Sequence, residues 1–207
     1  DIRPESTHLL KVVFPLDFSR MKPCSDEIFE IYKRLYTYTK TDLNPKIEST
    51  QEWSEYTKIE KVSFNDAYGE ERILAYLFIP RKSTPPFQTI VYFPGSGAEA
   101  LKSVFDYGTV KNREVELFTK NGRAFVFPVF RGTFERPAKP VEKVTTQYLR
   151  DSMIRLFRDL SRSLDYLETR PEFDLQKLAY LGLSWGAWTG PLYTALDSRF
   201  KAAIFLS

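Results

Sequence analysis

Between residues 145 and 169 apolar side chains return at helical spacing, at Leu149, Met153, Leu156, Phe157, Leu160, Leu164 and Leu167. Arg150, Asp151, Arg155, Arg158, Asp159 and Arg162 fall largely off that stripe, which predicts an amphipathic helix with a solvated charged face and local pairs such as Asp151 with Arg155. Elsewhere the apolar runs are short and β-prone. Residues 58–64 and 72–80 flank Asn65-Asp66-Ala67-Tyr68-Gly69 and predict a hairpin, and residues 89–93, 124–130, 178–183 and 201–206 predict four further strands. A short helical pattern over 113–120 ends at Asn121-Gly122, a left-handed cap. Another, over 185–196, contains Pro191, which removes a backbone donor and costs about 3 kcal/mol or kinks the helix. Strands alternating with helices predict an α/β architecture, a mostly parallel sheet with helices on both faces.

The chain divides near residue 57. Ile28, Ile31, Tyr32, Leu35 and Tyr36 predict an amphipathic helix over 26–40, with Ser25 or Asp26 as its N-cap. Upstream, the run from Leu10 to Phe14, broken by Pro15, reads either as the last strand of a preceding module or as a strand added to the sheet edge. Residues 41–55 are polar, contain Pro45 and read as a connection. Residues 1–57 are therefore an N-terminal extension and 58–207 the α/β domain.

Composition narrows the function classes. The 207 residues are 43% hydrophobic, enough for a proper core, and 30 basic against 27 acidic residues leave a net charge of +3, which gives no reason to expect a nucleic-acid partner. No stretch approaches the roughly 20 apolar residues of a membrane span. The one cysteine, Cys24, excludes an internal disulfide and a cysteine-based metal site.

Chemistry concentrates at Gly182-Leu183-Ser184-Trp185-Gly186, between a predicted strand and a predicted helix. A G-x-S-x-G sequence in that setting is a nucleophile elbow: the backbone turns sharply at the serine and lifts its hydroxyl above the sheet, and the flanking glycines allow close backbone approach. Ser184 is the candidate nucleophile. A second feature, Phe93-Pro94-Gly95-Ser96-Gly97-Ala98, follows the third strand of the domain, where an elbow hydrolase takes one of its two oxyanion-binding amides. The expected donors are the N–H groups of Ser96 and Trp185. Gly95-Ser96-Gly97 lacks the spacing of a phosphate loop. On the same rim, Arg131 or Arg136 from Arg131-Gly132-Thr133-Phe134-Glu135-Arg136 either meets a substrate carboxylate or forms a structural ion pair with Glu135 or another acid; Arg131 is the candidate substrate contact.

These features resemble the α/β-hydrolase superfamily, in its dienelactone-hydrolase and prolyl-oligopeptidase-like branch. More narrowly, residues 30–36, 75–80, 91–97 and 130–136 are similar to hydrolase domains at the carboxyl end of bacterial eukaryotic-like serine/threonine protein kinases. The resemblance implies an esterase-like domain acting on a small-molecule ester, with no metal or organic cofactor, and an upstream module such as a protein kinase, of which these residues carry no signature.

In such a fold the catalytic acid and histidine follow the nucleophile. After Ser184 the only acid is Asp197, read as a surface loop residue at the far end of the next helix, and the single histidine, His8, has no context for a base. The expectation is a hydrolase domain incomplete at its C-terminus, lacking the last strands and with acid and histidine beyond Ser207. The reading is a carboxylic ester hydrolase working through an acyl-enzyme. A prolyl-oligopeptidase-type peptidase, which would normally bring a propeller, and a non-catalytic binding or regulatory module are the alternatives.

Overall fold

The computed structural model describes residues 22–69, 71–138, 141 and 143–207. His8 and the run from Leu10 to Phe14 lie outside the described residues. Residues up to Leu35 and residues Tyr36–Ser207 form two separate units. In the first, helix α1 spans Asp26–Lys33, and its N-cap Ser25 accepts the Ile28 N–H through Oγ at 3.4 Å. The helix is shorter than its apolar spacing predicts. Residues just after it serve the second unit instead: the carbonyl of Thr37 accepts from Arg158 at 2.8 Å, and Tyr38 donates to Asp165 at 2.7 Å.

The second unit is organised by one sheet of seven strands, β1 Lys46–Glu52, β2 Thr57–Asn65, β3 Arg72–Pro80, β4 Phe87–Phe93, β5 Ala124–Val129, β6 Phe173–Leu183 and β7 Ala202–Leu206. Their order is β1-β2-β3-β5-β4-β6-β7. β1, β2, β3 and β5 pair antiparallel; β5, β4, β6 and β7 pair parallel. β2 and β3 are the expected hairpin, with Gly69 in the left-handed region at φ +71°. β1 was expected to be a connection. Every one of its side chains is exposed, so no apolar alternation marks it, and its main chain is held to β2 by ladder hydrogen bonds.

Successive residues of the central strands face opposite layers. Val91 and Phe93 enter one core with Val62, Leu77 and Val126, beneath the long helix, whereas Ile90 and Tyr92 enter the other with Phe78, Phe125 and Phe127. Burial on both faces explains why these strands read as continuous apolar runs rather than as alternation. Of the predicted 113–120 helix only one turn forms, α3 Glu116–Thr119; a separate turn, α2 Gly108–Lys111, precedes it, with Arg113 at φ 59° between them. Gly122 at φ +72° closes α3 as expected, with Arg123 N–H reaching back to the Phe118 carbonyl at 3.0 Å.

Helix α4 spans Thr146–Glu168 and begins at Thr145, whose Oγ1 accepts from Tyr148 N–H at 3.1 Å. Its charged face was expected to be solvated, and this is corrected in its C-terminal half. Arg162 is 1% and Asp159 6% exposed, and Asp165 is also buried. These charges are tolerated because each is paired: Arg162 with Asp165 at 3.3 Å, Asp159 with Arg136 at 2.6 Å, Asp165 with Arg199 at 2.8 Å. In the exposed N-terminal half, Asp151 pairs with Arg150 rather than Arg155, whose guanidinium stacks 4.7 Å from the Tyr68 ring centroid. Helix α5, Trp185–Leu196, continues through Pro191, which is exposed.

Candidate active site

β4 and β6 run parallel in a register that puts Phe93 beside Gly182, so the residues after both strands emerge together at one rim. Chain reversal there is abrupt. Ser184, the N-cap of α5, has φ 50° and ψ −102°, a combination outside the ordinary regions for a residue with a Cβ. Such backbone costs of order 1–3 kcal/mol and persists only where its surroundings enforce it. Here the Ser184 N–H donates to the Leu206 carbonyl at 2.6 Å and its carbonyl accepts from Trp188 N–H at 2.9 Å, while Gly186 N–H donates to Pro94 O at 3.2 Å. The Tyr180 hydroxyl, kept protonated because burial raises its pKa, donates to Gly186 O at 2.7 Å.

The two flanking glycines are required by space. A methyl on Gly182 would lie 2.4 Å from the Gly186 carbonyl carbon and oxygen, and one on Gly186 would lie 2.3 Å from the Phe93 carbonyl oxygen. With strand, helix and β4 this close, the Ser184 side chain is pushed outward and is exposed. Trp185, its ring edge-on to Phe93 at 5.2 Å, is the first residue of α5; the first amides of a helix have no intrahelical acceptor and carry the positive end of its dipole.

Opposite the serine lies the glycine loop. A methyl on Gly95 would sit 3.3 Å from Ser184 Cβ and 3.3 Å from Tyr107 Oη, so the loop passes directly beside the elbow. Gly95 N–H donates to Tyr107 Oη at 2.7 Å, and Ala98 N–H returns to Gly95 O at 3.1 Å as the chain enters a 3-10 turn over Ser96–Ala100. Ser96 is exposed at the start of that turn. The Ser184-Trp185 turn and the Ser96 loop, 88 residues earlier in sequence, thus meet at the carboxyl ends of β4 and β6.

Arg131 and Arg136 stand at the neighbouring end of β5. Arg136 is buried, donating to Val129 O at 2.7 Å and to Asp159 at 2.6 Å, with Glu71 at 3.4 Å. Arg131 gives its backbone N–H to Asp159 at 3.0 Å and pairs its partly exposed guanidinium with Glu71 at 3.1 Å. Asp197, expected on the surface, is 8% exposed instead; it accepts from Ser161 at 3.0 Å and from Arg199 at 2.6 Å. It also lies a full helix away from Ser184, about 18 Å for the 12 residues of α5. Among the described residues, no group of three His, Cys, Asp or Glu could hold a metal ion, and Cys24 is free and exposed.

Solved structures with a similar fold include proteins that are esterases by name. The acetyl xylan esterase from Paenibacillus sp. R4 superposes with a TM-score of 0.64 at 21% identity, over 87% of this chain and 58% of that one. Acetyl xylan esterase 1 from Thermoanaerobacterium sp. JW/SL YS485 gives 0.67 at 17%, over 89% and 59%. A glucuronoyl esterase from Solibacter usitatus gives 0.58 at 18%, over 86% and 56%. The chain has the α/β-hydrolase fold. No protein-family model and no curated protein sequence matches it. The chain spans less than three fifths of the length of each of these three esterases. Within the α/β-hydrolase fold, the rim that carries Ser184 is the carboxyl-end crevice where open α/β sheets take their ligands. Sequence reasoning passed over Tyr107, which lies twelve positions beyond Gly95 in irregular loop and carries no motif. It also left the buried Arg136 and Asp159 pair open, since neither partner's acid or base is marked locally.

Proposed function

We propose that this chain carries the nucleophile and oxyanion site of a serine hydrolase acting on carboxylic esters. The observation that carries the reading is the left-handed backbone of Ser184, φ 50°, held between two glycines with no room for a side chain. Nothing in packing alone calls for a strained, exposed serine at a sheet rim; presentation of a nucleophile does. Ser184 Oγ attacks the ester carbonyl while a histidine takes its proton, and the Ser96 and Trp185 amides receive the developing oxyanion, a contribution of about 3 kcal/mol per donor. Collapse expels the alcohol with that proton, and water then cleaves the acyl-enzyme. The histidine and its acid partner are supplied by residues that follow Ser207, because no histidine lies among residues 9–207 and Asp197 is consumed by Arg199. No metal or organic cofactor enters this scheme.

Carboxylic esters are preferred over peptides as substrate because the structural neighbours are acetyl xylan and glucuronoyl esterases by name. Of the two arginines beyond β5, Arg131 alone keeps an accessible guanidinium for a substrate carboxylate, Arg136 being committed to Asp159. By the resemblance given above, an upstream module such as a protein kinase precedes this domain, whose boundary falls near Tyr36 rather than residue 57, since β1 belongs to its sheet. The test is covalent labelling by a fluorophosphonate probe. A polypeptide continuing past Ser207 through an acid and a histidine is expected to label at Ser184 and hydrolyse a short-chain aryl ester. Failure of that longer protein to label refutes the catalytic reading, and turnover by residues 1–207 alone refutes the placement of the base.

A further inference from the structure

We propose that Tyr107 is a positioning residue for the oxyanion-binding loop, a role that rests on the serine hydrolase reading. Its ring is held by edge contacts with Phe127 and Phe134, at 5.9 and 5.7 Å between centroids, and by a tilted contact with Tyr92 at 6.3 Å. Its backbone is fixed from both sides, closing one 3-10 turn through Val104 O and opening α2 by accepting Val110 and Lys111 N–H. The hydroxyl at the end of this clamped ring takes the Gly95 N–H at 2.7 Å, and the space above Gly95 Cα is 3.3 Å from both that hydroxyl and Ser184 Cβ.

This contact decides which amide of the loop faces the reaction. Gly95 N–H is committed to the phenol and Ala98 N–H to Gly95 O, which leaves the adjacent Ser96 and Gly97 amides at the head of the turn, of which the hydrolase reading assigns Ser96 N–H to the oxyanion. The loop is anchored at Pro94 O by Gly186 N–H and at Ala98 O by Phe134 N–H, and between these points, where Gly95 and Gly97 have no Cβ to fix them by packing, its pose rests on that side-chain acceptor. Tyr107 touches no reacting atom in this scheme; it acts through Gly95 on Ser96.

The test is Tyr107→Phe in the same extended protein, with Tyr193→Phe as control. Tyr193 loses a comparably buried hydroxyl, bonded to Met153 O at 2.9 Å, away from the loop. For Tyr107→Phe, kcat is expected to fall about 10- to 100-fold with KM within about twofold, the pattern of an interaction made in the transition state. Amide hydrogen exchange at Gly95 is expected to speed up at least tenfold. Tyr193→Phe should leave kcat within about twofold. Unchanged kcat in Tyr107→Phe, equal losses in both variants, a loss confined to melting temperature, or unaltered exchange at Gly95 overturns the positioning role while the hydrolase reading stands. A wild-type protein that neither labels nor turns over ester overturns both.

Discussion

Adding one methyl group at Gly186 tests whether the elbow is built by space. In an ordinary helix, Gly→Ala stabilises by about 1 kcal/mol, so propensity predicts a more stable protein. At Gly186 the new carbon would sit 2.3 Å from Phe93 O and 2.9 Å from Phe93 Cβ and carbonyl carbon. A carbon and a carbonyl oxygen in contact need about 3.3 Å, so the overlap is about 1 Å. Phe93 cannot yield, being stacked on Phe130 at 4.0 Å and paired in register with Gly182. Relief must come from α5 moving off β4, which breaks the bond from Gly186 N–H to Pro94 O. Overpacking costs about 1–3 kcal/mol and the lost hydrogen bond about 1, so against the propensity gain the net is a destabilisation of about 1–3 kcal/mol. Urea unfolding of Gly186→Ala beside Gly97→Ala is the assay, since a methyl on Gly97 meets nothing within 4 Å and should change stability by less than about 0.5 kcal/mol. In the extended protein, a shift of about 1 Å between Ser184 and the Gly95 loop should also cost about 100-fold in kcat. Gly186→Ala as stable as wild type, or more so, would show that the close approach of α5 and β4 does not hold the elbow.

Ser184→Gly removes the nucleophile and lets φ 50° be adopted at little cost, so the variant should lose all probe labelling yet gain about 1 kcal/mol in urea unfolding; a loss of stability would contradict the strain argument. Arg136→Ala strands Asp159 and Val129 O in the interior and should cost about 3–5 kcal/mol, whereas Arg131→Ala breaks only a partly exposed pair with Glu71 and should cost about 1 kcal/mol or less. Similar losses in both would refute the distinction. Burial raises the carboxyls of Asp165 and Asp197, but hydrogen bonds from Tyr38, Lys40 and Arg199 on the former and Arg199 on the latter outweigh it, so both lie below the usual carboxylate range. Depressed carboxyls bind more protons unfolded than folded: their stabilisation is complete above about pH 4 and is lost as pH falls through the folded values. Denaturation at a series of pH values should show stability falling below about pH 4, and Asp165→Asn should make that fall shallower; an unchanged slope would refute the assignment.

Local sequence determined the elements that depend on near neighbours. The stripe from Leu149 to Leu167, the buried runs of β4, β5 and β6, the Gly122 cap and the glycines about Ser184 are each written within a few residues, because helix period, strand burial and tight turns are short-range constraints. β1 was invisible because an edge strand exposed on both faces needs backbone pairing but no apolar pattern. The buried pair of Arg136 with Asp159 was invisible for a different reason. A charge reads as solvated unless one knows that an opposite charge, 23 residues away for Asp159 and Arg136, is folded against it. Only the tertiary structure brought Gly95, Tyr107, Ser184 and Leu206 into one place, since parallel strands join remote segments at their ends and leave no local trace of which will meet.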